Sequence, residues 1–389
     1  MTSGSIPKQM VFFALPILLG NLFQQLYNTV DSLIVGNFLG SQALAAVSSS
    51  GNIIFLMIGF FNGVAIGAGV VISRYFGARE IERMQNAIHT TVAFGLIVSF
   101  IMTLIGVFFT PTLLRWMGTP DSVMAASVTY FKIYFLGSFG SIMYNFFVGI
   151  LQAVGDSKHS LYYLIVSSVV NIVLDLFFIA VLKMGVGSAA LATIISEGIS
   201  SALILLCLKH MDGPLHFELK DMRFHKELAL QMLEVGLPAG LQGIIFSISN
   251  VLIQSSINSF GSLVMAGNTA ASNIEGFVYT SMNAVYQTSL SFTSQNFGAK
   301  KYNRIDKILL ECLVIVSIVG LVLGQGAYFF GQQLLSIYSS DERVIQFGIN
   351  RLAVISTMYC LCGIMDTLVG SLRGIGYSIL PMLVSLTGV

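Results

Sequence analysis

Long apolar runs separated by short polar clusters set the pattern of this chain. An α-helix needs roughly 20 mostly apolar residues to cross a bilayer. Windows that meet this fall near 10–36, 44–72, 87–110, 123–153, 160–182 and 187–208, and again near 229–259, 265–294, 308–330 and 343–372. An eleventh begins near 378 and is cut off at Val389. Several windows exceed the hydrocarbon thickness, which predicts tilt or extension beyond it. The first run, VFFALPILLG after Lys8, has the look of a secretory signal. It continues through Gln24, Gln25, Asn28 and Asp31 without a small-residue cleavage site, so a retained first helix is predicted.

Composition sharpens this into a polytopic membrane protein. Of 389 residues, 55% are hydrophobic and only 10% charged, against about 25% charged in ordinary soluble domains. That excess of apolar side chains cannot hide in one aqueous core. The net charge of +1 leaves no basic surplus for phosphates, which excludes nucleic acid as a partner. Cys207, Cys312, Cys360 and Cys362 lie in apolar runs without metal-ligand spacing and read as small buried hydrophobes. Charge also orients the chain. With the N-terminus inside, fourteen of the nineteen Lys and Arg fall in inner segments and three in outer loops, while Lys132 and Arg351 are embedded in spans. The positive-inside rule then places the N-terminus in the cytoplasm of a cell-membrane protein.

The chain also repeats itself at a constant shift of 221. Gly40-Ser41 meets Gly261-Ser262, Asn52-Ile53 meets Asn273-Ile274, and Asn62 meets Asn283. Phe76-Gly77-Ala78 meets Phe297-Gly298-Ala299, and VGILQAVGDS (148–157) meets VGSLRGIGYS (369–378), while Pro16 meets Pro238 at a shift of 222. Each repeat holds six spans, so both enter from the same side and are parallel, related by a pseudo-two-fold along the membrane normal. The expected fold is therefore all-α, with two parallel six-helix bundles. The first lobe covers 1–208, a cytoplasmic linker covers 209–228, and the second lobe covers 229–389. Twelve spans are expected in the intact protein, with the last one and a half absent. Two like bundles flanking a cleft suit alternating access, whereas a channel would need a ring of filter groups that the sequence lacks.

Ionisable groups at membrane depth are costly and mark function. On the first span Gln24, Tyr27, Asn28 and Asp31 share one helical face. Asn171 and Asp175 are i, i+4 neighbours on the fifth span, as are Thr193 and Glu197 on the sixth, and Tyr130 and Asn145 add polar groups from the fourth. Asp31 and Asp175 together suit either a shared proton or, with amide and hydroxyl oxygens, a small cation such as sodium. Helix-packing glue is the simpler role for Gln24, Tyr27, Tyr130 and Asn145 taken singly. The second repeat differs: Leu252 stands opposite Asp31, and its own carboxylates are Glu275 and Asp366, the latter opposite Asn145. Glu234 reads as interfacial.

The segments QLYNTVDSLIVGNFLGSQALAAV, SRYFGARE, LQAVGDSKHS, NIVLDLFFI and GVGSAALATIIS together resemble the multidrug and toxic compound extrusion (MATE) family of transporters, prokaryotic type, over essentially the whole chain. The resemblance implies twelve helices in two lobes and export by antiport against sodium ions or protons. It implies a coupling site at Asp31, Asn171, Asp175 and Thr193, surrounded by Gln24, Tyr27, Tyr130 and Asn145. A second type of member uses carboxylates of the other lobe, for which Glu275 and Asp366 are the candidates here.

The expectation is thus a secondary antiporter that exports small organic, cationic and amphipathic molecules. It would work as a monomer among membrane lipids, with no cofactor beyond a bound proton or sodium ion. Neutralising Asp31 and Asp175 would let the first span bend at Pro16, where one backbone hydrogen bond is missing. The alternative is a lipid-linked oligosaccharide flippase of the same superfamily, though few Lys or Arg lie within spans. An enzyme is not expected, since no Ser/His/Asp set or phosphate loop is present, and all five histidines lie near inner span ends or in the linker.

Overall fold

The computed structural model describes residues 1–39, 41–116, 119, 121–211, 216–218, 220 and 222–388. Gly40, Val389, part of the 209–228 linker and the side chains of Ser41, Asn52, Ile53 and Ser262 lie outside the described set. The described backbone is helical: α1 (Ile6–Leu39), α2 (Ser41–Ala78), α3 (Ile81–Trp116), α4 (Asp121–Leu136), α5 (Ser138–Ala153), α6 (Ser157–Asp175), α7 (Gly187–His210), α8 (Lys226–Asn258), α9 (Ser262–Gly298), α10 (Tyr302–Phe329), α11 (Gly331–Ser336), α12 (Glu342–Gly374) and α13 (Ile379–Gly388). A π-helical segment, Leu176–Val181, continues α6.

Among the described residues eight helices are long and apolar enough to cross a membrane, or nine if α4 and α5 form one span. The protein is a multi-pass membrane protein. Two expected spans differ in kind. The window 123–153 is a pair of helices bent by 49° around Gly137, where a Cβ would collide with the Ile194 side chain. The window 265–294 lies in α9, which is long enough to cross a membrane and is rich in buried polar residues. It carries Thr288, Ser289, Ser291, Thr293, Ser294, Gln295 and Asn296, all buried against other helices.

The repeat is written into the backbone. After α2 and after α9 the chain turns through a left-handed residue, Arg79 (φ 60°) and Lys300 (φ 57°), and after α5 and α12 through Gly155 (φ 95°) and Gly376 (φ 98°). Each pair is 221 residues apart. The carbonyls left open at these helix ends are closed by paired turn bonds. Glu80 N–H donates to Tyr75 O (3.0 Å) as Lys301 N–H donates to Asn296 O (2.9 Å). Asp156 N–H donates to Leu151 O as Tyr377 N–H donates to Leu372 O, both at 2.9 Å. Inside each lobe one serine ties two helices: Ser73 Oγ donates to Ala153 O (3.0 Å), and Ser294 Oγ to Gly374 O (3.2 Å).

The lobes meet across the same pseudo-two-fold. A Cβ at Gly77 would strike the Gln295 backbone, and one at Gly298 would strike that of Arg74, the position matching Gln295. Only glycine permits so close a crossing at both places. Two helices also change lobes along their length. Ile6, Met10, Phe13 and Ile17 of α1 pack in the second lobe's core with Ala271, Ile274 and Phe292, whereas Ile34 and Val35 pack in the first lobe's core. Reciprocally, Leu228 and Met232 of α8 join the first lobe's core. Pro16 and Pro238 sit beside these changeovers.

Candidate functional site

Two polar regions lie within this frame. The first is enclosed by α1, α4, α5, α6 and α7. Asp175, with no exposed surface, ends α6, and its carboxyl is a direct side-chain hydrogen-bonding neighbour of Asp31 on α1. With its amide nitrogen turned to the carboxyl, Asn171 donates to Asp175 Oδ2 (3.2 Å), and its oxygen accepts from the backbone N–H of Thr193 (3.3 Å). Thr193 Oγ1 is anchored on Ala189 O at 3.0 Å. All four residues expected at the coupling site therefore meet. Asp31 Oδ1 and Asp175 Oδ1 are buried with no protein hydrogen-bond partner, as is Oε2 of Glu197. Two ionised carboxylates are acceptors only, so a hydrogen bond between this pair needs one shared proton.

Glu197 of α7 lies in the same chamber, beside Ser141 and among Tyr27, Tyr130, Tyr134 and Tyr144. The Tyr130 and Tyr134 rings stack at 6.4 Å. Ser141, Tyr134 and Tyr144 escaped the sequence reading, because hydroxyl-bearing residues in an apolar run give no signal unless a neighbouring helix supplies the acid.

The second region is a cavity of about 360 Å³ between the lobes, lined by α1, α2, α5, α6 and α9. Gln24 and Asn145, expected around the Asp31 chamber, line this wall. Asn145 donates to Ser141 O at 2.8 Å. Asn28 is exposed on α1. The repeat pair Asn62 and Asn283 both line the cavity, and Gln287 Nε2 donates to Asn283 Oδ1 at 2.7 Å. No described charged residue lines it. Tyr144 borders both regions.

The second lobe's carboxylates are held differently. Glu275 is 3% exposed and clamped by Arg351, whose Nη2 donates to Oε2 at 2.7 Å and whose Nε donates to Oε1 and Oε2 at 3.1 and 3.2 Å. Arg351 Nη1 reaches Asn268 Oδ1 at 2.6 Å. Asp366 lies apart from this ion pair, near Tyr279, Cys362 and Arg373. Among the described residues no group of three or more His, Cys, Asp or Glu is arranged to hold a metal ion.

Two parallel lobes related by a pseudo-two-fold, with a polar cavity between them and a carboxylate chamber inside one, define a transporter built from duplicated bundles. The MatE family model matches residues 16–177 and 238–389, and the chain belongs to that family of transporters. It is 30% identical to the probable multidrug resistance protein YoeA of Bacillus subtilis, over 98% of this chain and 84% of that protein. It is 31% identical to the probable multidrug resistance protein YpnP of the same organism, over 96% and 84%. Among solved structures it resembles a MATE protein in the bent conformation, with a TM-score of 0.90 and 25% identity over 98% of this chain and 85% of that one. An outward-facing multidrug resistance MATE transporter of the MOP superfamily gives a TM-score of 0.92 at 24% identity, over 98% and 86%.

Proposed function

We propose that this protein is a secondary antiporter of the cell membrane that exports amphipathic organic cations, taking up a proton or sodium ion at Asp31, Asn171, Asp175 and Thr193. The observation that carries this reading is the pairing of the neighbouring Asp31 and Asp175 carboxyls, each with a buried, unpartnered oxygen, in one chamber. Occupying that pair with a proton or cation removes a repulsion, and vacating it restores the repulsion. The chamber's state is thereby tied to the position of α1. The relatives named as multidrug resistance proteins support export of drug-like molecules over flipping of oligosaccharide lipids.

In this reading the basic end of the bundle, which carries the N-terminus, faces the cytoplasm. The interlobe cavity is within the roughly 300–1,000 Å³ range of small-molecule sites and offers amides and apolar surface. Selection for positive charge then falls to the adjoining chamber, where Glu197 and the tyrosines present a carboxylate and π-faces. The test is efflux of ethidium from proteoliposomes under an imposed sodium gradient and, separately, a pH gradient. Asp31→Asn and Asp175→Asn should each abolish gradient-driven efflux while leaving the protein folded. Wild-type efflux by both variants would refute the coupling site.

A further inference from the structure

A second cavity, of about 650 Å³, opens at the basic end beside the joint between the lobes. Its walls come from both bodies. Phe76 of α2 and the turn before α6 belong to the first lobe, and Phe292 of α9 belongs to the second. Lys8 at the start of α1 and Lys158 at the start of α6 both line it, and both are exposed. Among the described residues neither lysine is held in an ion pair. The one carboxylate in the wall, Asp156, is already occupied: it caps α6 through His159 N–H (3.2 Å) and meets His159 Nδ1 at 2.5 Å.

The mouth continues onto an apolar track. Phe12 lines the cavity and is 60% exposed; Leu15, Leu19 and Phe23 follow it on one face of α1, all exposed. Two lysine ammonium groups outside any ion pair, over an aromatic floor and opening onto an exposed apolar stripe, match an anionic amphiphile whose charge stays at the interface while its chains leave along the helix.

We propose that this cavity binds the phosphate headgroup of an anionic phospholipid from the leaflet at the basic end, and that the bound lipid braces the two lobes in the arrangement described here. Because the walls come from both lobes, the site is complete only while that end is closed, so the lipid favours the closed state by its differential affinity. The site is independent of the coupling carboxylates and holds whichever ion drives transport.

The test counts lipids retained by the purified full chain in native mass spectrometry, with phosphatidylglycerol and phosphatidylcholine as probes. The wild type should hold one phosphatidylglycerol in clear preference to phosphatidylcholine. The double variant Lys8→Gln/Lys158→Gln should bind it roughly thirtyfold more weakly, as expected for two near-surface lysines. Lys226→Gln/Lys307→Gln, which removes two exposed lysines elsewhere at the basic end, should leave the preference intact, and Lys8→Arg/Lys158→Arg should keep it. The proposal is overturned if the wild type shows no preference, or if Lys8→Gln/Lys158→Gln retains it. Equal loss in the control pair would also overturn it, by assigning the binding to general surface charge. Displacement of the lipid by excess inorganic phosphate would do so too, by making free phosphate the occupant.

Discussion

Breaking the Glu275–Arg351 pair separates a scaffold role for the second lobe's carboxylate from a coupling role. Arg351→Ala leaves Glu275, at 3% exposure, facing apolar helices without its guanidinium, and Asn268 Oδ1 without its donor. Three bonds to the carboxylate are lost. At about 1.5–3 kcal/mol each they sum to more than the whole pair is worth, because bonds that share one guanidinium are not additive. Removing one partner of a buried pair costs about 3–5 kcal/mol, and that is the expected loss. Glu275→Gln keeps the shape but gives up the charge attraction, and should cost less. The double variant Glu275→Leu/Arg351→Met deletes both charges at similar volume, and should recover most of the loss or exceed wild type. Thermal melting of the purified full chain, followed by circular dichroism, ranks the four proteins. Gradient-driven ethidium efflux by the double variant should persist, since coupling is assigned to the first lobe. If both single variants melt with the wild type, or the double variant loses more than the singles combined, the scaffold reading fails. A stable double variant that has lost its gradient dependence would move coupling to the second lobe.

The remaining tests concern the lobe contact and a loop-borne cap. Alanine at Gly77 or Gly298 puts a methyl against the facing backbone and should weaken the closed basic end by about 1–3 kcal/mol each. A cysteine placed at Gln152, on the interlobe cavity, should then label faster with a maleimide applied from the basic end; unchanged labelling would argue against the crossing as a gate. Asp341 caps α12 by accepting from Arg343 N–H (2.9 Å), and the Arg343 guanidinium holds its carboxyl below the ordinary carboxylate range. A depressed folded-state pKa means this contribution is complete above the ordinary value and is lost as pH falls through the lowered one. The stability gap between wild type and Asp341→Asn should therefore be full near neutrality and close in strong acid; a gap independent of pH would remove the charge from the explanation.

The spans and the duplication were legible because both are one-dimensional. A run of apolar residues fixes a helix, and a constant shift of 221 fixes its partner, down to the left-handed turns at Arg79 and Lys300. Asp31, Asn171, Asp175 and Thr193 were legible because each is a polar group that lipid cannot pay for alone. Periodicity says which residues share a face of their own helix, but not which neighbour that face meets. Gln24 shares a stripe with Asp31 yet lines the interlobe cavity, seven residues and two helical turns away. Arg351 reads in the sequence as an embedded cation, and only the fold brings it to Glu275, which lies 76 residues earlier on another helix.

The same limit hid the exchange of helices between lobes. The repeat boundary assigns all of α1 to the first lobe, but burial assigns Ile6 to Ile17 to the second lobe's core and Ile34 and Val35 to the first. Asp31 therefore lies on the half of α1 that belongs with its own chamber, while the opposite half is embedded in the other bundle. Pro16, with one helical hydrogen bond missing, lies beside the changeover. A force on Asp31 from a change in the charge of the Asp31–Asp175 pair acts on a single continuous helix anchored in both lobes. The reciprocal placement of Leu228 and Met232 in the first lobe gives α8 the same geometry, but with Leu252 where α1 has Asp31. One crossing helix thus carries a carboxylate at this depth where its symmetry mate carries Leu252, so under the proposed coupling the chemical drive acts on α1 and α8 follows as its pivot.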